Sequence, residues 1–310
     1  MSQQPPKPQP SPLRISTLTV TGHLGVEPDL NRLFTACSFI PYWWIGEGIV
    51  KVEWTDDKKM RHTKGTSSYD ILHQTTKSQR QFCNQSSLVI RYALPDGTWK
   101  ESNIKIFKNG GFQMTGIASE EMARLALERL ISMNADKAIW PKRPTIAKLQ
   151  VCMMNSDYNV GAPIRRERLY KILVEEYGLW CNYEPTIYQG VNTKYFWNSC
   201  RPADAPPGIC TCPQQCKGDG AGDAIGACKK ITISPFRTGS VIVTGAQHSQ
   251  QLYDAYNFIN SVFASHPEIL REPEPVACKA KPKKELQGVL NILAHRIRTS
   301  PRGLVKIAVN

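Results

Sequence analysis

Cys200, Cys210, Cys212, Cys216 and Cys228 crowd five thiols into one stretch rich in Gly, Pro and Asp. Thiolates are ligands that a tetrahedral zinc ion favours, so four of the five could form a structural site and leave one spare. The spacing is not the paired Cys-x-x-Cys of ordinary zinc ribbons. Unligated thiols and a disulfide are the other two readings open from the residues. A loop of this composition has little to fold around, which is the argument for a staple. Cys37, Cys83, Cys152, Cys181 and Cys278 are isolated along the chain and read as core or surface thiols.

A second chemistry is written twice. Phe107-Lys-Asn-Gly-Gly-Phe-Gln-Met-Thr-Gly116 returns as Phe236-Arg-Thr-Gly-Ser-Val-Ile-Val-Thr-Gly245, at an offset of 129 residues and without a gap. Each copy has an aromatic, a basic residue, a Gly where a hairpin must reverse, an alternating strand and then Thr-Gly. A repeat this long is half a domain rather than a solenoid unit, and it implies a pseudo-twofold axis.

The chain has 310 residues, enough for one large core or two small ones. Lys and Arg outnumber Asp and Glu by 39 to 26, for a net charge of +13, which favours a polyanionic partner. No run approaches the roughly 18–20 apolar residues of a membrane span, so no membrane role is expected. Met1-Ser-Gln-Gln-Pro-Pro lacks the apolar segment of a secretory signal, and a reducing compartment is expected. There is no phosphate-cradling Gly-rich loop, no metalloprotease His pair and no helix-hairpin-helix segment, and the six histidines are scattered. Those absences argue against an enzyme.

The elements that must carry these residues can be read from periodicity. Residues 1–12 are a Pro- and Gln-rich tail. A first half at 13–140 holds strands at Ile15–Val20 and Ile49–Trp54 and a short helix from Pro28 to Phe34 with Asp29 near its start. It then has a hairpin of Ile104–Phe107 with Phe112–Thr115, and a helix from Ser119 to Ile131 with an apolar face of Met122, Leu125, Ala126 and Leu130. The stretch at about 55–102 reads as a hairpin-bearing insertion with a strand-like Ser87–Tyr92. A second half at 145–265 repeats the order: strand Ala147–Met153, helix Ile164–Glu176, strands near Tyr188–Trp197 and Lys230–Val243, and helix Ser249–Phe263. Its Cys-rich insertion falls at about 198–229. Residues 274–310 are a basic extension with an amphipathic stretch from Leu286 to Arg298. Strand-helix-strands-helix given twice predicts an α+β fold, an antiparallel sheet with its helices gathered on one face.

Period-2 alternation sorts the hairpins by face. Ile106, Phe112 and Met114 should meet the helices, while Lys105, Phe107, Gln113 and Thr115 face the other way. In the second copy Val241 and Val243 turn inward, and Phe236, Ile242 and Thr244 turn out. Two large aromatics on an open face either bind something or tuck under their own turns.

On these residues the chain resembles the TATA-box-binding protein family, whose two repeats form a saddle with helices on the convex face. The family's Phe-x-Ser-Gly-Lys hairpin ending in Thr-Gly-Ala is matched by Phe107 to Ile117 and Phe236 to Ala246. Its Tyr-Glu-Pro-Glu-Leu-Phe-Pro-Gly-Leu is matched by Tyr183-Glu-Pro-Thr-Ile-Tyr-Gln-Gly-Val191, and its first-repeat Leu-Gly-x-x-x-Asp-Leu by Leu24-Gly-Val-Glu-Pro-Asp-Leu30. The matches run in order over residues 12 to about 265, and the large insertions are similar to those of relatives in large DNA viruses. That resemblance implies a nuclear protein, or one of a cytoplasmic viral factory or virion, not a secreted one.

The family is itself the type example of minor-groove binding by apolar wedges, in which unstacking a base step costs a few kcal/mol and bent DNA returns contact surface. The wedge positions implied by the resemblance are Phe107 and Trp44 in the first repeat and Tyr188 and Phe236 in the second. The family's central asparagines align with Thr17 and Val151, and the neighbouring valines with Thr19 and Met153. Thr115, Ile242 and Thr244 are further groove positions, and Lys105 and Gln113 replace apolar ones. The lysines that hold phosphates become Gly111, Ser240, Ala118 and Gln247, with Lys108, Arg237 and Lys194 as replacements. Glu184, Thr186 and Ile187 match a surface that holds transcription factor IIB. The resemblance thus implies a non-enzymatic, monomeric initiation factor that binds and bends duplex DNA without a firm preference for TATA, and that recruits a factor-IIB-like protein and the RNA polymerase machinery. No cofactor is required, apart from the zinc raised above. The competing reading keeps the saddle as a protein-interaction module that has lost specific DNA binding, and a base-flipping glycosylase is the third.

Overall fold

The alternating segments pair into one antiparallel sheet because each has an apolar face that only a layer of helices can cover. The computed structural model describes residues 9–56, 59–72, 84–212, 220–222 and 226–270. The expected tail up to residue 8, Cys83, Cys216, Cys278 and the whole of the expected basic extension lie outside the described residues. The first half comprises β1 (Arg14–His23), α1 (Leu30–Ala36), β2 (Gly48–Thr55), β3 (Arg61–Gly65), α2 (Ser68–Leu72), β4 (Gln85–Ala93), β5 (Trp99–Phe107), β6 (Gly111–Ile117) and α3 (Glu120–Met133). The second comprises β7 (Ala147–Asn159), α4 (Arg166–Glu175), β8 (Trp180–Asn182), β9 (Asn192–Trp197), β10 (Lys229–Pro235), β11 (Ser240–Ala246) and α5 (Ser249–Ser265).

Among the described residues the sheet has 11 strands in the order β3-β2-β4-β5-β6-β1-β7-β11-β10-β9-β8. Apart from β3, the order reads the same outward from the β1–β7 joint in both directions, so the two halves are related across that joint. The α+β class expected from the sequence is the class observed. Inward side chains of the first half, among them Leu18, Val20, Ile90, Ile104, Ile106 and Met114, pack with Leu33, Leu127 and Leu130 of the helices. In the second half Ile231, Ile233, Val241 and Val243 pack with Leu169, Leu252, Ile259 and Val262. Met154 touches both clusters.

Local chemistry fixes the helix starts. The Asp29 carboxylate accepts the Arg32 N–H at 2.9 Å to cap α1, and Ser119 Oγ accepts the Met122 N–H at 3.2 Å to cap α3. The buried face of α3 is Ala123, Ala126, Leu127, Leu130 and Ile131, one step round from the face expected, with Met122 and Leu125 partly buried at its margin.

Three features differ from the sequence reading. First, β4 and the opening residues of β5 are members of the sheet rather than parts of an insertion, because Leu88, Ile90 and Tyr92 carry core. The excursion is only the stretch between β2 and β4, which holds β3 and α2. Second, α2 lies on the face opposite the other helices. Third, Tyr188 precedes β9 in a tight turn whose Ile187 and Tyr188 N–H groups donate to Glu184 O at 3.0 and 2.9 Å.

The duplicated hairpins share their turn geometry. Gly110 and Gly239 have φ of 84° and 89°, their N–H groups donate to Phe107 O and Phe236 O, and their carbonyls accept from Leu24 and Val160. A Cβ at Gly110 would collide with Val26 O, and one at Gly239 with Ala162 O. Gly110→Ala and Gly239→Ala should each therefore cost at least about 2 kcal/mol in urea unfolding, a left-handed penalty plus a collision. Gly97→Ala, at φ 80° with nothing within 4 Å, should cost about half as much. Equal costs at the three positions would remove the collision from the argument.

Candidate nucleic-acid interface

The face of the sheet away from the main helix layer carries the residues that could meet a ligand. Strand register lines them up. Across the second half and the joint, Trp180 pairs with Lys194, Lys194 with Thr232, Thr232 with Thr244, Thr244 with Asn155, and Asn155 with Thr17. This row has a cation, hydroxyls and an amide, and no acid. Lys194 Nζ donates to Thr232 Oγ1 at 2.8 Å and stands 5.9 Å from the Trp180 ring centre. Burial, with Lys230 nearby, lowers the Lys194 ammonium below its usual pKa, so an anion brought to this row would relieve it. Asn155 Nδ2 donates to Thr17 Oγ1 at 3.1 Å. Ile242 is on the same face beside Asp157, whose carboxylate is taken by Arg14 at 2.6 Å.

In the first half the row is Ser87, Lys105, Gln113, Thr21 and Gln150. Thr115 is exposed on the same face opposite Asn103, and Thr19 pairs with Met153 across the joint. Val151 is a correction. It pairs with Val20 and packs against the first core, because the register shifts between Thr19 and Val20. The bulge turns both Cys152 and Met153 outward, with Thr21 Oγ1 and Cys152 Sγ 2.9 Å apart. Asn155 therefore supplies the amide at the middle of the face. Periodicity along β7 carries no signal for this, because the shift belongs to its pairing with β1.

The wedge candidates divide in the same way. Tyr188 and Phe236 lie edge to face with ring centres 5.7 Å apart, and a Cβ on Gly190 would meet both, so glycine lets the pair close. Phe107 is half-buried at the tip of its hairpin, with exposed Lys108 beside it as Arg237 is beside Phe236. Trp44 is not its partner. Arg91 donates to Trp44 O at 2.6 Å and Tyr42 O at 2.8 Å, tying that loop to the Glu101 end of β5. Phe107 is six residues further along β5, about 20 Å at strand rise.

The outer strands of the first half are covered on this face by α2. Lys51 Nζ meets Asp70 Oδ1 at 2.8 Å and Glu53 Oε1 at 3.3 Å, and Arg61 meets Glu53 Oε2 at 2.6 Å. Ser68 donates its N–H and hydroxyl to the Glu101 carboxylate at 3.0 and 2.8 Å, and Arg91 holds the same carboxylate at 2.6 Å. Burial alone would raise the Glu53 carboxyl, but Arg61 and Lys51 outweigh it and hold it below its ordinary value. Asp70 follows the same balance: burial raises it, and bonds from Lys51 and Ser67 bring it down to about 2.

On the turn before β9, Thr186 Oγ1 donates to Glu184 Oε1 at 2.7 Å, and Ile187 stands 85% exposed. Of the cysteines, Cys210, Cys212 and Cys228 come together, while Cys200 is exposed and apart and Cys216 lies outside the described residues.

No family model matches the chain. A curated protein called TATA-box-binding protein-like, from Acanthamoeba polyphaga mimivirus, is 27% identical over 281 residues. The alignment covers 82% of this chain and 65% of that relative's length. Among solved structures, Methanococcus jannaschii TBP overlays with a TM-score of 0.43 at 15% identity, covering 83% of this chain and 99% of that one.

The depressed Asp70 carboxyl gives a pH test. Its contribution to docking α2 is complete above the ordinary value of 3.8 and is lost as the pH falls toward about 2. At neutral pH, Asp70→Asn should speed amide exchange in α2 roughly tenfold, for a loss of about 1–2 kcal/mol. The gap from wild type should close between pH 4 and pH 2. Equal protection at neutral pH would show that the carboxylate does not hold α2.

Proposed function

We propose that this chain, a divergent TATA-box-binding-protein-like protein by its sequence relationship, grips duplex DNA through the open face of its sheet and bends it mainly from the second half. The relationship supports a transcription-related, DNA-binding and non-enzymatic role. The observation that carries the finer reading is the acid-free row from Trp180 to Thr17, flanked by the Tyr188–Phe236 pair. The minor groove of A·T pairs offers acceptors alone, so a face of hydroxyls and an amide is matched to it. Tyr188 and Phe236 act as one wedge, levering a base step open while the row follows the groove floor. Lys194, Arg237 and Lys108 take phosphates in place of the family's missing lysines. Phe107 contributes a second wedge, without Trp44.

Glu184, Thr186 and Ile187 form the surface offered to a factor-IIB-like partner, through which the RNA polymerase machinery is recruited. Ile187 supplies the apolar contact and Glu184 the charge.

A second reading rests on one observation. The α2 cap sets buried carboxylates over the outer open face of the first half, where phosphate would be repelled, and that suits a surface kept for holding proteins. The two readings part on a duplex labelled at both ends. DNA bending predicts salt-dependent binding with end-to-end shortening on an AT-rich site. Tyr188→Ala with Phe236→Ala should remove most of the shortening and weaken binding by on the order of 10–100-fold. Lys194→Ala should lower the salt slope by about one, and Trp44→Ala should change neither quantity. Weak binding, equal on AT-rich and GC-rich duplexes and lost by moderate salt, would favour the protein-holding module.

A further inference from the structure

The connection from β9 to β10 is long, poor in apolar residues and closed at one point by sulfur. Cys210, Cys212 and Cys228 present their Sγ atoms within 4.8 Å of one another. Cys228 is buried immediately before β10, and the other two come from the middle of the loop. Two hydrogen bonds bring the loop back: Phe196 N–H to Gly208 O at 2.9 Å, and Lys230 N–H to Gly220 O at 2.8 Å. The first lays the loop along β9 just before Cys210.

The sulfurs lie among both donors and acceptors. The Cys228 N–H donates to Cys212 Sγ at 3.2 Å. Asn198, the first residue after β9, directs Nδ2 at Cys212 Sγ and Cys228 Sγ, both at 3.7 Å, and at Gly226 O at 2.7 Å. Cys212 Sγ in turn donates to Gly226 O at 3.4 Å and lies 3.1 Å from Cys228 Sγ, so the cluster is one of thiols whose protons a soft metal ion would displace. A disulfide accounts for two sulfurs and not for a third beside them. The Cys212–Cys228 separation of 3.1 Å also exceeds the roughly 2.05 Å of a covalent bond. Two zinc–sulfur bonds of about 2.3 Å at a tetrahedral angle put sulfurs about 3.8 Å apart, a spacing this cluster can adopt by small rotations of its side chains.

We propose that Cys210, Cys212 and Cys228 bind a structural zinc ion as thiolates, which pins the β9–β10 connection to the foot of β10. Three protons leave the thiols on binding, and a further donor completes the tetrahedron. Soft sulfur ligands select zinc over magnesium or calcium. The ion does no chemistry: it replaces the apolar core that the loop lacks, and it steadies the strands that carry Lys194 and Thr232.

The test uses the full chain purified under reducing conditions without chelator. Elemental analysis should find zinc at one ion per chain. Stripped protein titrated with cobalt(II) should develop a thiolate-to-cobalt charge-transfer band in the near ultraviolet with tetrahedral bands in the visible, both bleached by zinc. Cys212→Ser should reduce the bound zinc to near zero and weaken the charge-transfer band, while Cys181→Ser leaves both intact. Cys212 is only partly buried, and circular dichroism checks that its variant is folded. Folded wild-type protein with neither zinc nor the cobalt band, or with a Cys212–Cys228 disulfide found by mass spectrometry of that preparation, would overturn the proposal.

Discussion

The antiparallel pairing of β1 with β7 is the constraint on which the rest of the structure depends. Each half can cover its own sheet with its own helices, but only this joint turns two sheets of ordinary width into one continuous face. Backbone hydrogen bonds supply its direction, and Met154 supplies its apolar continuity by touching both cores. Side chains reinforce it, through the Arg14–Asp157 ion pair and the bond from Asn155 to Thr17. The N-terminal segment also leans across it, with the Ser11 N–H on Asn159 O and the Tyr256 hydroxyl on Ser11 O. The centre of the open face is therefore the most tightly determined part of the candidate site.

Symmetry of the frame and asymmetry of its surface are separate properties. The backbone repeats its turns at Gly110 and Gly239 within a few degrees of φ. The side chains above that backbone have diverged. The second half presents paired aromatics and a cationic row, and the first presents Phe107, unpaired among the described residues, and a shelf of ion pairs under α2. Charge accounts for much of the difference. Glu53, Asp70 and Glu101 are each neutralised by a neighbouring cation, so they cap the face without unfolding it, yet their presence makes that end unwelcoming to phosphate.

Much of the fold was legible because it rests on local chemistry. Asp29 and Ser119 announce their helices as caps, alternation fixes which side of β5, β6 and β11 faces the helices, and the hairpin glycines stand where a left-handed turn is needed. What was not legible depends on pairing between distant segments. The bulge at Cys152 that sends Val151 inward and Asn155 outward is a property of β1 and β7 together. β4 and the opening residues of β5 read as an insertion because sequence does not say which strands they join. The five-residue α2 is too short to show a helical period. Trp44 matched a motif by counting residues, whereas its place is decided by the grip of Arg91 on its carbonyl.

The position of β1 bears on how the chain is made. It is synthesised before either of its neighbours and yet sits in the middle of the sheet, with β6 on one side and β7 on the other. Its edge toward β6 is satisfied when the first half is complete. The other edge stays open until Ala147–Asn159 has emerged, and during that interval the nascent half-sheet displays a bare row of backbone donors and acceptors. The order of strands thus makes the first half a templating surface for whatever reaches it first, and the short link between the halves ensures that the nearest claimant is the chain's own β7.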